Sequence, residues 1–236
     1  MSDPAAVEVE GLSFRYPDGT PALDRVSFTV RAGERVALVG ANGAGKSTVL
    51  LHLNGLLEGQ GRVTVCGLPV ERKSFRAVRQ KVGLVFQNPD DQLFCPTVYE
   101  DVAFGPRNLD LPEEQVRTRV AESLAAVGLA GFEGRSAYHL SFGQKRRAAL
   151  ATVLALRAEL LALDEPTSFL DPKGRRQFTR LLQELGGTQI VATHDFGLVE
   201  TLCDRVLVLD GGKLVAQGAP ARLLRDHALL EKHGLE

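Results

Sequence analysis

The chain has 236 residues and carries 28 Lys or Arg against 29 Asp or Glu, so its net charge is close to neutral. Without a basic excess, nucleic acid is not expected as a main partner. A chain of this length can bury a large core. Cys66, Cys95 and Cys203 are odd in number and far apart. They therefore argue against a disulfide framework or a zinc site and fit a reducing cytosol.

The opening residues predict no targeting segment. The first ten lack the basic and apolar regions of a secretion signal. No stretch of the sequence approaches the 18 or so uninterrupted apolar residues that a membrane span requires. We therefore expect a protein that does not cross a membrane itself. If it works at a membrane, another protein must hold it there.

The first part of the chain predicts β-structure followed by a helix. Residues 7–39 have strand patterns, and residues 26–30 alternate apolar and polar side chains as a half-buried strand does. An apolar run over residues 36–39 ends in a glycine-rich stretch. Leu50, Leu53 and Leu57 then follow at helical spacing and predict an amphipathic helix.

The glycine-rich stretch has the form GxxxxGK[ST] between a strand and a helix, which is the context that a phosphate-binding loop needs. Its glycines allow successive N–H groups to turn onto one anion, and the helix N-terminus adds positive charge. Lys46 is then expected to reach the β- and γ-phosphates, while the Ser47 hydroxyl ligates Mg²⁺. The predicted loop consists of Gly40, Ala41, Asn42, Gly43, Ala44, Gly45, Lys46, Ser47 and Thr48.

Beyond residues 62–65 and 82–86, which predict two more strands, the chain becomes mostly helical. The clearest helix is expected from Pro112, a favoured first-turn residue, to about Gly128, a favoured terminator. We interpret residues 88–156 as a helical insertion between strands of one sheet. The apolar face of this helix is formed by Val116, Val120, Leu124 and Val127.

The sheet is predicted to resume after this insertion. Continuous apolar runs at residues 160–163 and 189–192, separated by a helix, indicate a parallel sheet covered on both faces. Residues 205–216 predict a closing hairpin. The predicted fold is therefore α/β: a phosphate-loop NTPase core with a mostly parallel sheet, an N-terminal antiparallel β subdomain and an inserted α-helical subdomain. The whole chain is expected to be one nucleotide-binding domain, divided into 1–87, 88–156 and 157–236.

Acidic residues follow the strand predicted at residues 160–163. Because functional sites lie at the carboxyl ends of such strands, Asp164 is expected to hold Mg²⁺, through water. Glu165 is expected to polarise the water that attacks the γ-phosphate. The alternative is a surface acidic pair. His194 ends the next strand at the same edge, where it can hydrogen-bond the γ-phosphate or serve as a capping or packing residue.

A second anion site is predicted before the helical pattern at residues 148–156. Ser141 has the position of a helix N-cap, which is one interpretation. A serine, a glycine and a helix N-terminus together also form an anion site. The loop at residues 40–48 already cradles the phosphates of one ATP. The site at Ser141 therefore suggests that the chain serves another molecule's nucleotide.

Taken in order, these motifs resemble those of the ATP-binding subunits of ABC transporters along nearly the whole chain. The resemblance implies that two subunits sandwich two ATP molecules, each signature motif closing on the partner's phosphate loop. Stacking on an aromatic is worth about 1–3 kcal/mol and does not by itself exclude GTP, so the ATP preference rests on the resemblance. The implied roles are adenine stacking by Tyr16, a link between Mg²⁺ and the transmembrane partner by Gln87, the signature motif with Ser141, Gly143 and Gln144, the catalytic carboxylate of Glu165, communication between sites by residues 168–171, and γ-phosphate sensing by His194.

The signature motif departs from the family's usual LSGGQ, because Phe142 replaces its first glycine. We expect this position to be tolerant and Gly143 to be the critical glycine, since Glu165 and His194 are both intact. Residues 85–94 resemble the energy-coupling-factor branch, whose members import cobalt, nickel or vitamins. In that branch helices of a transmembrane coupling protein dock near Gln87. The candidates for this groove, each with ordinary packing as its alternative, are Leu93, Phe94, Val98 and Tyr99.

The implied partners are a second ATP-binding subunit, a transmembrane coupling protein and a substrate-binding membrane component, at the cytoplasmic face of the membrane. A homodimer is favoured and a heterodimer stays open. The first alternative function is that of the ATPase subunit of another kind of ABC importer. A mechanical ABC module acting on ribosomes or DNA is disfavoured, because such relatives generally carry two nucleotide domains or a long coiled-coil insertion. A phosphate-loop kinase leaves Ser141 and His194 without a role. The cargo is not encoded in this chain.

Overall fold

In the computed structural model, which describes residues 5–235, the chain forms two sheets and nine α-helices within that part. The first sheet has the order β2-β1-β4-β5, with neighbouring strands antiparallel. Its strands are β1 (Ala5–Arg15), β2 (Pro21–Arg31), β4 (Gln60–Val65) and β5 (Leu68–Pro69). Residues 26–30 of β2 alternate buried and exposed as predicted.

The second sheet has six strands in the order β10-β9-β3-β8-β7-β6. All neighbours are parallel except β10, which pairs antiparallel with β9 as the predicted closing hairpin. The predicted α/β fold with its antiparallel N-terminal sheet is thereby confirmed. The strands are β3 (Arg35–Val39), β6 (Val82–Val85), β7 (Leu160–Asp164), β8 (Thr188–Ala192), β9 (Arg205–Asp210) and β10 (Lys213–Gly218).

The helices lie between and after these strands. Among residues 5–235, none is long and apolar enough to cross a membrane. The predicted domain limits at residues 1 and 236 lie outside the described part. So do residues 1–4 of the opening segment, for which no targeting signal was predicted. The helices are α1 (Lys46–Leu53), α2 (Phe75–Lys81), α3 (Val98–Asn108), α4 (Glu113–Ala126), α5 (Phe142–Leu154), α6 (Pro172–Leu185), α7 (Phe196–Leu202), α8 (Pro220–Leu223) and α9 (His227–Lys232).

The parallel sheet separates two apolar cores. Within β3, Val36 and Leu38 face the core that includes the antiparallel sheet, whereas Ala37 and Val39 face the core that includes the helices between β6 and β7. Side chains alternate in this way because successive residues of a strand point to opposite faces. The central strands are therefore apolar on both faces, which explains their continuous hydrophobic runs.

The helices between β6 and β7 pack with the predicted residues inward. The four apolar residues of the predicted face of α4 and its end are buried. The helix begins at Glu113, one residue later than expected, because Pro112 adopts an extended backbone as its N-cap. The proposed division of the chain at residues 87 and 156 stays a prediction.

The prediction for α1 was wrong in two respects. The helix ends at Leu53, so Leu57 lies outside it, and the helix is buried on most sides rather than amphipathic. Gly55 adopts φ 68°, and the N–H groups of Gly55 and Leu56 return to the carbonyl oxygens of His52 and Leu51. These two bonds form the glycine-terminated end that stops a helix. The leucine spacing continues past it by coincidence.

Candidate nucleotide-binding site

The loop between β3 and α1 has the backbone that its glycines predict. Gly43 and Gly45 adopt φ 79° and φ 103°, which other residues rarely reach. A Cβ on Gly40 would lie 2.3 Å from the carbonyl oxygen of Leu209, so the loop packs directly on the end of β9. Gly45 precedes α1 and supplies no side-chain cap. The first N–H groups of α1 are therefore available to an anion.

Lys46 is buried inside this loop. Its Nζ donates hydrogen bonds to the carbonyl oxygens of Gly40 at 2.7 Å and Ala41 at 3.1 Å. Burial lowers the pKa of Lys46, while the carboxylates of Glu165 and Asp164 favour its charged form. A largely desolvated ammonium with these few partners attracts a phosphate strongly, because charge-assisted hydrogen bonds are stronger than neutral ones.

Asp164 ends β7 at the carboxyl edge of the sheet and is buried. Its Oδ1 has no hydrogen-bond partner among the described residues. Burial raises the pKa of Asp164, and a hydrogen bond from Ser47 with the nearby charges of Lys46 and Arg146 opposes the rise. A free carboxylate oxygen beside a serine hydroxyl is the oxygen set that Mg²⁺ prefers. These residues fit a divalent cation.

Glu165 is held in one orientation by several contacts. The hydroxyls of Ser168 and Thr193 donate to its Oε2 at 3.1 and 3.2 Å. The imidazole Nδ1 of His194 lies 2.8 Å from its Oε1. Glu165 also adopts φ 45°, an unusual conformation for a residue other than glycine. Such backbone strain persists only where surrounding contacts enforce it, and it concentrates at functional sites.

His194 is exposed at the site and is neither a capping nor a packing residue. Its side chain is 66% exposed and touches Glu165, so it does not pack in the core. The cap of α7 is instead Asp195, whose Oδ1 accepts from the N–H of Leu198. The acidic residues are likewise no surface pair, because Asp164 and Glu165 are both buried.

One cavity of about 680 Å³ gathers most of the residues predicted for the site. The Tyr16 ring lines it, and the Tyr16 hydroxyl lies 3.0 Å from Thr48 Oγ1. Gly40 and Ala41 line a smaller neighbouring cavity instead. The predicted residues that the main cavity brings together are Tyr16, Asn42, Gly43, Ala44, Gly45, Lys46, Ser47, Thr48, Gln87, Asp164, Glu165 and His194.

The signature residues lie apart from this cavity. Ser141, Gly143 and Gln144 line a separate pocket of about 180 Å³ against α6. Ser141 is the N-cap of α5: its Oγ accepts from the Gln144 N–H at 3.3 Å, and its own N–H donates to Gln144 Oε1 at 2.9 Å. These two bonds form a capping box. Within one chain, Ser141, Gly143 and Gln144 at the capped start of α5 therefore line a different cavity from the phosphate loop.

The backbone of the signature motif is unstrained. Phe142 is the first residue of α5 and does not have a positive φ. A Cβ on Gly143 would meet Leu170 at 3.6 Å, an ordinary contact distance. The backbone and packing of this chain therefore neither require a glycine at position 143 nor disfavour a phenylalanine at position 142. If Gly143 is critical, the reason lies outside this chain.

Phe169 belongs to the loop at residues 168–171 that the resemblance implies, whereas Arg146 near the site was missed in the sequence. Phe169 adopts φ 64° and is 76% exposed, and its ring stands edge-on to Phe142 with 5.7 Å between centroids. Arg146 has no exposed surface. A signal for Arg146 did exist: Leu150 and Val153 follow it at helical spacing and are buried, so Arg146 falls on the inward face of α5.

The predicted groove residues divide into two groups. Leu93 and Val98 are buried in the core, and the Tyr99 hydroxyl bonds Glu113, so ordinary packing accounts for these three. Phe94 is 65% exposed. Its ring lies edge-on to Phe104, which is also exposed, with 5.1 Å between centroids.

The family follows from comparison with known proteins. Residues 23–168 match the model of the ABC transporter family, and the chain belongs to that family. It is 50% identical over 235 residues to the energy-coupling factor transporter ATP-binding protein EcfA of Methanothermobacter thermautotrophicus, covering 97% of this chain and 76% of that protein.

Solved structures extend the comparison to the fold. The structure of cbiO1 from Clostridium perfringens, described as part of the ABC transporter complex cbiONQ, has 39% identity and a TM-score of 0.85, covering 99% of this chain and 96% of that one. A dimeric post-hydrolysis structure of the ATP-binding cassette MJ0796, bound to ADP and Pi, has 27% identity and a TM-score of 0.79. The chain is an ABC-type ATP-binding subunit and hydrolyses ATP.

Proposed function

We propose that this chain powers an energy-coupling-factor importer by closing as a dimer around two ATP molecules and reopening after hydrolysis. The observation that carries the proposal is the separation of its two anion-binding elements. The phosphate loop lines one cavity, and Ser141, Gly143 and Gln144 line another. A second subunit can bring its own signature residues to the first cavity, which makes each ATP site composite.

Within one subunit, the residues of the larger cavity account for binding of ATP. The Tyr16 ring offers a face for the adenine. Lys46 and the N–H groups of the loop bind the phosphates. Ser47, Asp164 and Gln87 supply oxygens for Mg²⁺, and the unpartnered Oδ1 of Asp164 supports this assignment. The bound cation neutralises part of the phosphate charge.

Glu165 and His194 account for hydrolysis. Glu165 accepts the proton of the attacking water, and the hydroxyls of Ser168 and Thr193 hold its carboxylate in place for that step. His194 touches Glu165, lines the same cavity and is mostly exposed, so it can bind the γ-phosphate and Glu165 together. Positioning and charge stabilisation supply most of the rate in phosphoryl transfer.

The output of the cycle is motion delivered to membrane proteins. Phe94 and Phe104 form an exposed aromatic pair close to Gln87 in sequence. This pair suits contact with a transmembrane coupling protein, which in turn carries a substrate-binding component. The chain then works at the cytoplasmic face of the membrane. The resemblance of residues 85–94 to the energy-coupling-factor branch favours a transition-metal ion or a vitamin as cargo. The catalytic residues are intact at every motif, which permits a homodimer as the assembly.

The proposal is tested with a variant that binds ATP without hydrolysing it. We expect Glu165→Gln, which keeps the shape of the side chain, to become a dimer on addition of ATP and Mg²⁺. Light scattering after gel filtration measures the mass directly. A variant that remains monomeric with ATP bound contradicts the composite site.

A matched control separates the partner's role from folding. Aspartate is as good an N-cap as serine, so Ser141→Asp leaves α5 capped while placing a negative charge where the partner's phosphates must sit. Combined with Glu165→Gln, this change is expected to leave ATP affinity unchanged and abolish the dimer. Dimerisation of the combined variant at the same ATP concentration counts against a role for Ser141.

A further inference from the structure

Arg146 is a charged residue on the inward face of α5, and none of its surface is exposed. Its Nη1 donates a hydrogen bond to the carbonyl oxygen of Phe86 at 2.9 Å. Its Nε and Nη2 have no hydrogen-bond partner in the described part of the chain. A buried guanidinium is costly when its N–H groups are unmatched. The position of the charge therefore calls for an explanation beyond packing.

The charge of Arg146 acts on the acidic residues of the site. Burial lowers the pKa of Arg146 to about 10, and the carboxylates of Asp164 and then Glu165 favour the charged form. Arg146 is consequently a cation at neutral pH. Arg146 interacts electrostatically with these carboxylates from α5, whereas Lys46 interacts with them from the phosphate loop.

Arg146 also connects the start of α5 with the loop after Glu165. Its guanidinium carbon lies 5.3 Å from the centroid of the Phe142 ring, a distance typical of cation–π contact. The Phe142 ring in turn stands edge-on to Phe169. A continuous series of contacts thus runs from Phe169 through Phe142 and Arg146 to the peptide group that precedes Gln87.

We propose that Arg146 is a positioning residue for ATP hydrolysis, which ties α5 to the Phe86 carbonyl and so holds Gln87 beside Asp164 and Glu165. The inference rests on the proposed roles of Gln87 and Asp164. Its physical basis is the planar guanidinium, which donates to the Phe86 carbonyl oxygen and lies over the Phe142 ring at once. A lysine can supply the charge but not both contacts in the same geometry.

Three substitutions separate the charge from the hydrogen bond. Arg146→Lys keeps the charge, Arg146→Gln keeps an N–H donor, and Arg146→Met removes both. In the full chain, kcat is expected to fall about 10- to 100-fold for the methionine and glutamine variants, as misplaced catalytic groups cause. The lysine variant is expected to lose less. The Kd for ATP should change less than about threefold in all three, because Arg146 does not line the ATP cavity.

A double-mutant cycle distinguishes positioning from simple stabilisation. If Arg146 acts through Gln87, then Gln87→Ala lowers kcat little further once Arg146 has been replaced. Arg119 provides the matched control, because its Nη1 also donates to a backbone carbonyl, that of Ala155 at 3.2 Å. Arg119→Gln is expected to leave kcat within about twofold and to combine additively with Gln87→Ala.

Specific results overturn the inference. An unchanged kcat in folded Arg146→Met overturns it. A double variant whose loss of kcat equals the product of the losses from Arg146→Gln and Gln87→Ala also overturns it. Should the methionine variant not fold, the lysine and glutamine variants and the cycle decide the question. Lys46→Ala, measured alongside, tests the nucleotide site itself. Loss of ATP binding there, together with an unchanged kcat at Arg146, contradicts this inference and leaves the proposed function intact.

Discussion

The N-termini of α1 and α5 are both assigned to ATP, yet they are built differently. Gly45 precedes α1 in a left-handed conformation and offers no side-chain cap. Ser141 precedes α5 and forms a reciprocal capping box with Gln144. The first helix start leaves its N–H groups open inside the cavity that contains Lys46. The second has a cap of its own and lies in a different pocket.

The difference indicates how one chain can carry two half-sites. An uncapped helix start beside a buried lysine is already an anion site. A capped start is stable without a ligand, since an N-cap contributes about 1 kcal/mol to stability. Such a helix N-terminus is therefore stable before it binds a phosphate held by another subunit. On this view α1 binds ATP in the single chain, whereas α5 binds it only in the dimer.

The largest expected effect comes from removing the charge at α1. Lys46→Ala should weaken ATP binding about 100-fold, because charge-assisted contacts with phosphate contribute roughly 1.5–3 kcal/mol each. Calorimetry measures the affinity. Lys213→Ala, which removes an exposed lysine paired with Asp24, is the control and should leave it unchanged. Equal affinity for the Lys46 variant and wild type contradicts the assignment of this loop.

The next effect concerns the glycine before α1. Gly45→Ala should lower the free energy of unfolding by about 2 kcal/mol or more, since strained backbone alone costs about 1–3 kcal/mol. The added Cβ would also lie 2.7 Å from the carbonyl oxygen of Ala22 at the observed φ of 103°. Chemical denaturation checks this value. A variant as stable as wild type shows that the loop tolerates a side chain here.

The corresponding change in α5 should behave in the opposite way. Gly143→Ala meets Leu170 at an ordinary 3.6 Å and lies within a helix. Because alanine favours helix over glycine, stability should stay equal or rise by up to about 1 kcal/mol. ATP-driven dimerisation should nevertheless weaken, about tenfold, through contact with the partner's phosphates. Light scattering measures the dimer. If Gly143→Ala dimerises as well as wild type, Gly143 has no role at the partner's phosphates and the proposed contrast with Gly45 is wrong.

Features with a local cause could be predicted from the sequence. The alternation over residues 26–30 follows from a strand with one buried face, and the hairpin at residues 205–216 follows from its glycines. The edge of the parallel sheet also brings Asp164, Glu165 and His194 together, as parallel strands require. In each case a short pattern and a general rule of sheets suffice.

Features that depend on distant contacts could not be predicted. Glu165 has a left-handed backbone, and its side chain is held by Thr193 and His194 from another segment, which no local pattern indicates. The pairing of Phe142 with Phe169 joins residues far apart in sequence. The spacing of Arg146 from Leu150 and Val153 indicates the inward face of α5, but its hydrogen bond to Phe86 depends on how α5 packs against β6 and the loop after it.

The central claim is that Lys46 of one subunit and Ser141 of another complete one site. Lys46→Ala and Ser141→Asp should each be inactive alone, and mixing them should restore ATP hydrolysis. Random pairing makes half of the dimers mixed, each with one intact site, so recovery should approach roughly a quarter of the wild-type rate. A mixture that stays as inactive as its two components contradicts the composite site.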